Sequence, residues 1–187
     1  MATPSGRRGT SGLLIPLAGG LLLGGLTAGV GWWVLSGFAE LLPVAGRVAV
    51  IAVAAAAAVA DEMLGLGWRW PQNARQVPHA VRRRSPRAAL LQFGFELGTG
   101  VRTYVTSRAP YILVALLVFG GLSLLQAILM GLGFGAGRAL MPVTRTLAND
   151  PRRWDDRLAR TGRVGKVTAT VLTAVTATAV AAATLSS

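Results

Sequence analysis

The stretch LLIPLAGGLLLGGLTAGVGWWVL, residues 13–35, carries no charged side chain. At 1.5 Å rise per residue, an uncharged run of about 20 residues matches the hydrocarbon thickness of a bilayer, and only a helix satisfies its own backbone there without closing a barrel. Arg7 and Arg8 precede it, as they would in a signal peptide. The run exceeds the roughly 7 to 15 apolar residues of such a peptide and lacks a small-x-small cleavage site before Glu40, so it reads as a retained span. Residues 48–60 and 110–136 are equally free of charge.

Outward from these runs the chain is consistent. Of 187 residues, 52% are apolar and only 14% charged, too oily and segmented for a soluble domain. The reading is an all-α integral membrane helical bundle forming a single membrane domain. The gaps at residues 68–87 and 138–166 hold fourteen of the nineteen basic residues. Arginine and lysine accumulate on the cytoplasmic side and meet anionic lipid headgroups there. That placement accounts for the +12 net charge without nucleic acid, because neither gap interleaves aromatic stacking platforms. Eighteen arginines against one lysine, with abundant alanine and glycine, suggest a high-GC bacterial genome and hence the bacterial plasma membrane.

Charge bias sets the expected topology. With Arg7 and Arg8 inside, span one (13–38) exits, the turn at 39–46 lies outside, and span two (47–67) returns to the basic, acid-free gap. Residues 88–107 are ambiguous, since Glu96 and Arg102 interrupt an otherwise apolar stretch. If they cross, span four (110–137) runs inward and sixteen of nineteen basic residues share one side. This favours five spans with a cytoplasmic amino terminus, the rival being a re-entrant or interfacial segment. The Ala, Thr and Val-rich segment 167–185 is the fifth. Before it, Asn149-Asp150-Pro151 offers a cap and first-turn proline, Gly162 a stop, and Trp154 an interfacial anchor on a short helix.

The third segment carries the leading site candidates. Gln92, Glu96, Thr99 and Thr103 are spaced four, three and four, one polar stripe on a helix otherwise lined by Leu, Phe and Val. A carboxylate at membrane depth costs about 2.5–3.5 kcal/mol on insertion scales, so it persists when paired, protonated or functional. Arg102 is near in sequence but about 240° around the helix, with Arg47 and Arg138 as alternative partners. Asp61 and Glu62 close span two, and headgroup-level pairing with Arg69 or Arg75 accounts for them. Glycines recur at four-residue spacing: Gly20 and Gly24, Gly25 and Gly29, Gly94 and Gly98, Gly131 and Gly135, Gly133 and Gly137. Such pairs permit close helix approach or self-association.

Other chemistries find no support in the sequence. Cysteine is absent, which removes thiol nucleophiles, disulfides and iron–sulfur ligation. His79 has no second ligand nearby, so no metal and no cofactor is expected. The run GLGFGAGR, residues 131–138, follows no strand and lacks the lysine ending of a phosphate loop.

Residues 76–142 carry a Q-V pair, a basic run, FGFELGTGVRTYVTSRAPY and GFGAGRALMP. This pattern resembles small actinobacterial polytopic membrane proteins, loosely similar to the transmembrane proteins of cytochrome c biogenesis and disulfide interchange. The resemblance implies a small bundle with broken, glycine-rich spans. Its electron transfer would need a membrane cysteine pair that this chain lacks.

The function expected is therefore a small transporter or permease-like protein, with Gln92, Glu96, Thr99, Thr103 and Arg102 along the pathway and no catalytic residue. An accessory or scaffold subunit of a membrane complex, joined through the glycine faces or as a homo-oligomer, is the alternative. A membrane enzyme acting on a lipid-linked substrate ranks third, since no paired histidine and acid motif appears.

Overall fold

The computed structural model describes the backbone of residues 4–70, 85–100 and 107–185. Among these residues it is all-helical: α1 (Pro4–Ala39), α2 (Val44–Leu64), α3 (Pro86–Thr99), α4 (Ala109–Phe119), α5 (Leu124–Leu147) and α6 (Pro151–Leu185). Four segments are long and apolar enough to cross a membrane, namely Gly12–Ala39, Val44–Leu64, Leu124–Leu147 and Pro151–Thr184. The chain is a helical membrane-type bundle.

Local chemistry sets the helix ends. Pro43 holds an extended backbone before α2, and Gly65, at φ +65°, ends it with its N–H on the Asp61 carbonyl. Only glycine adopts that left-handed cap without cost. The Ser85 hydroxyl accepts the Ala88 N–H ahead of Pro86, and Gly100 closes α3. Ser123 and Gln126 form a reciprocal capping box at α5: Gln126 Oε1 accepts the Ser123 N–H at 2.8 Å, and Ser123 Oγ accepts the Gln126 N–H at 3.4 Å. Asp150 caps α6 as its sequence predicts, accepting the N–H groups of Arg152 and Arg153.

The contacts divide into two units. The first comprises Met1–Ala28, Gln72–Tyr104 and Ile128–Ala159. Here α1 is gripped by α3 and α5 at backbone distance. A Cβ at Gly24 would lie 2.8 Å from Thr99 N and 2.9 Å from Gly98 Cα, and one at Gly98 would lie 2.9 Å from Leu21 Cα. On the α5 side, a Cβ at Gly25 would lie 3.0 Å from Gly135 N, and one at Gly135 would lie 3.1 Å from Leu22 Cα. The backbone of Leu21, a residue only 1% exposed, lies against both Gly98 and Gly135. Without a hydrophobic drive between helices in lipid, such close approach supplies the dispersion contacts that hold the bundle. The order of contacts makes α3 parallel and α5 antiparallel to α1.

The second unit comprises Gly29–Pro71, Val105–Ala127 and Arg160–Ser187. Its core is Ile51, Ala55 and Ala58 of α2, Ile112 and Leu116 of α4, and Ala174, Ala177 and Ala181 of α6. Arg108 lies at the Asp61 end of α2 and Phe119 at the Arg47 end, so α4 is antiparallel to α2. Arg163 reaches Met63, and Thr184 reaches Gly120, so α6 is antiparallel to α2 and parallel to α4.

Three expectations are corrected. The run at 110–137 is two helices, because Gly120 and Gly121, the latter at φ +64°, break it. Residue 108 lies at the Asp61 end of α2, away from the 39–46 turn that the third span was expected to reach, and residues 101–106 before it lie outside the described residues. The segment 138–166 is largely helical: α5 runs on to Leu147, and α6 passes through Gly162 without stopping, since one glycine costs a long helix only about 1 kcal/mol. The apolar run at residues 13–38 does belong to a single helix, as expected.

Candidate functional site

A charge cluster sits where α2 ends and α4 begins. The Gly65 cap turns the chain so that Trp68 and Trp70 fold back onto the last turn of α2. Asp61 is 3% exposed and its carboxylate accepts three bonds: from Arg108 Nε at 2.6 Å, Trp70 Nε1 at 2.7 Å and the Trp68 N–H at 3.2 Å. Glu62 Oε2 accepts the Arg108 backbone N–H at 2.9 Å, serving as a remote cap for α4, whose own first turn holds no acid. The Arg108 guanidinium carbon lies 5.9 Å over the Trp70 ring, and Trp70 packs on Tyr111 at 4.7 Å between centroids. The aromatic faces shield the pair and stabilise the cation. Arg163 Nη2 approaches the Met63 carbonyl at 3.4 Å, adding a second guanidinium at this end.

The other end of α4 is held as firmly. Breaking the helix at Gly120 frees backbone carbonyls, and side chains of other helices donate to them. Arg47 Nε donates to the Phe119 carbonyl at 3.0 Å, Thr184 Oγ1 to Gly120 at 2.6 Å, and Trp33 Nε1 to Leu122 at 2.9 Å. Donors from α2, α6 and α1 thus secure the break. The 11-residue α4, about 16 Å long, is shorter than a crossing and is pinned at both ends by side chains of other helices.

The predicted stripe is placed only in part, since Arg102 and Thr103 lie outside the described residues. Gln92 Nε2 donates to Glu96 Oε1 at 3.1 Å, and Thr99 Oγ1 to the Glu96 carbonyl at 2.8 Å. These half-buried groups stand about 150° around α3 from Gly94 and Gly98, the face that meets α1. Gly135 and the Gly131 carbonyl oppose α1 from α5, whereas Gly133 and Gly137 face open space. Arg47 is engaged at Phe119, and Arg138 lies 5.7 Å over Phe134. His79 and Arg75 also lie outside the described residues.

Asp61 is the clearest correction. Its expected partner was Arg69 or Arg75, and the carboxylate is instead buried against Arg108. The sequence signal was a carboxylate inside a 21-residue apolar helix. The partner, 47 residues on, had no local signal. Among the described residues no cluster of three His, Cys, Asp or Glu side chains suits a metal ion.

The fold and this cluster define a class, a polytopic helical membrane protein with an ion pair between two helix ends whose carboxylate is buried. No protein-family model, curated protein or solved structure matches the chain.

Proposed function

We propose that this protein is a small permease-like transporter for cations, with Asp61 as the carboxylate that meets the cargo and Arg108 as the internal cation that holds its place. The observation that carries this reading is the Asp61–Arg108 pair. Ionisable groups within apolar helices are costly, and where they persist they mark ion pathways and proton relays. Helix breaks beside such groups recur in secondary transporters, where chain ends rather than continuous helices frame the site. An arriving cation competes with Arg108 for the carboxylate, and release lets the pair re-form. The Gln92–Glu96 pair belongs to this reading as a second polar position on α3.

Purified protein in proteoliposomes, loaded with a pH-sensitive dye and energised by a potassium diffusion potential, tests the reading, with radioactive sodium uptake in parallel. Wild-type vesicles take up protons or sodium faster than protein-free vesicles, and Asp61→Asn lowers that rate about tenfold while helix content and elution volume stay constant. Equal rates in the two proteins would remove Asp61 from the mechanism. No uptake by the wild type would sink the cation-permease reading and favour an accessory subunit, with the open Gly133 and Gly137 positions as its contact face.

A further inference from the structure

In the second unit the charges at the carboxyl end of α2 divide into two groups. The acids turn inward: Asp61 accepts bonds from Arg108, Trp70 and Trp68, and Glu62 accepts the Arg108 N–H. Three cations do not follow them. Arg69, Arg163 and Lys166 are exposed, and none has a carboxylate within ion-pair distance among the described residues. Arg163 gives one donor to the Met63 carbonyl at 3.4 Å, which brings α6 to this end of α2 and leaves the rest of its fork open. Lys166 follows three residues on. Both belong to the stripe of α6 that is buried further along at Thr170, Ala174 and Ala177, so both lean toward the same neighbours.

Beside these cations the surface is apolar. Leu64 is 70% exposed, Leu66 46% and Trp68 49%. The segment that carries them is held in place: Gly65 and Gly67 turn it at positive φ, and the Trp68 N–H and the Trp70 indole, on either side of Arg69, both donate to Asp61. A soluble polyanion finds no match in exposed leucines, and an apolar protein face finds none in three cations without acids. A phospholipid matches both, and tryptophan favours the boundary between its headgroup and its chains. We infer that this end of α2 binds an anionic phospholipid, with the phosphate among Arg69, Arg163 and Lys166 and the glycerol and upper acyl carbons against Leu64, Leu66 and Trp68. The inference does not depend on the permease reading.

Bromine quenches tryptophan on contact, which supplies the test. The protein is placed in vesicles of equal parts phosphatidylcholine and phosphatidylglycerol, with bromine on the acyl chains of one lipid or the other. Comparison of each protein with its Trp68→Phe counterpart isolates Trp68, whose backbone N–H the substitution keeps. Brominated phosphatidylglycerol should quench that component about twofold more than brominated phosphatidylcholine. Arg69→Gln, Arg163→Gln and Lys166→Gln together should bring the ratio to about one, while Arg69→Lys with Arg163→Lys, which keeps the charge, should preserve it. Arg152→Gln with Arg153→Gln, on the exposed start of α6, should also preserve it. Equal quenching of the wild type by both lipids would overturn the inference, as would a ratio that survives the triple glutamine variant. An equal loss in the Arg152 and Arg153 variant would reveal a diffuse attraction of the whole basic chain and overturn it too.

Discussion

Asp61 and Arg108, 47 residues apart in the chain, meet at 2.6 Å with the carboxylate almost wholly enclosed. The pair closes the junction of α2 and α4, and removing Arg108 strands an almost wholly enclosed carboxylate, whereas removing Asp61 leaves a guanidinium that is 22% exposed. Breaking a buried pair costs about 3–5 kcal/mol, of which much is the penalty on the partner left behind. Arg108→Gln should therefore lower unfolding stability by about 3 kcal/mol and Asp61→Asn by less, measured by detergent titration of helicity. The double variant should lose far less than the sum, because neither charge is then stranded. Additive losses would mean that the two groups do not act as a pair.

The glycine grip on α1 gives a position-specific outcome. Gly98→Ala sets a methyl 2.9 Å from Leu21 Cα and forces α1 and α3 apart, so it should destabilise by about 2 kcal/mol, in the range of overpacked cores. Gly133→Ala and Gly137→Ala place theirs in open space and should gain about 0.5–1 kcal/mol from helix propensity. Thermal midpoints of the three purified variants distinguish these outcomes. Equal effects at Gly98 and Gly133 would contradict the close approach of α1 and α3.

The break after α4 depends on donors from three helices. Thr184→Val removes one neutral hydrogen bond to the Gly120 carbonyl and should cost about 0.6 kcal/mol, the average for such bonds in membrane bundles. Arg47→Met strips a charge-assisted bond from the Phe119 carbonyl and should cost about 1.5–3 kcal/mol. Faster amide exchange at residues 119–123 in both variants, compared with α2, would locate the damage at the break.

Side-specific labelling of single cysteines tests the direction of α4, and the absence of native cysteine makes the background clean. Ser107→Cys should react from the same side as Leu66→Cys and from the opposite side to Leu41→Cys, because residue 108 shares the Asp61 end of α2. Labelling of Ser107→Cys with Leu41→Cys would restore a passage that ends at the α1–α2 turn.

The sequence settled most that depends on local chemistry. An uncharged run makes a helix in lipid whatever surrounds it, so the helical bundle and the long first helix were legible from residues 13–35. Asp150 before Pro151 acts within one turn and was legible for the same reason. The spacing of Gly20, Gly24, Gly94, Gly98 and Gly135 announced close approach but left its partners unstated. Which glycines are occupied depends on the helix each one faces.

Tertiary structure decided the rest. Residues 110–137 read as one span because hydropathy does not register a break whose freed carbonyls are satisfied by Arg47, Thr184 and Trp33 from elsewhere in the chain. Glu96 stood out because its polar neighbours recur at helical spacing. Asp61 stood out too but was given the wrong partner, because Arg108 reaches it only when α4 returns beside α2. Hydropathy and capping act over a few residues, so a sequence states them outright. Pairing of charges across 47 residues depends on which helix ends meet, and only the folded chain brings Arg108 to Asp61.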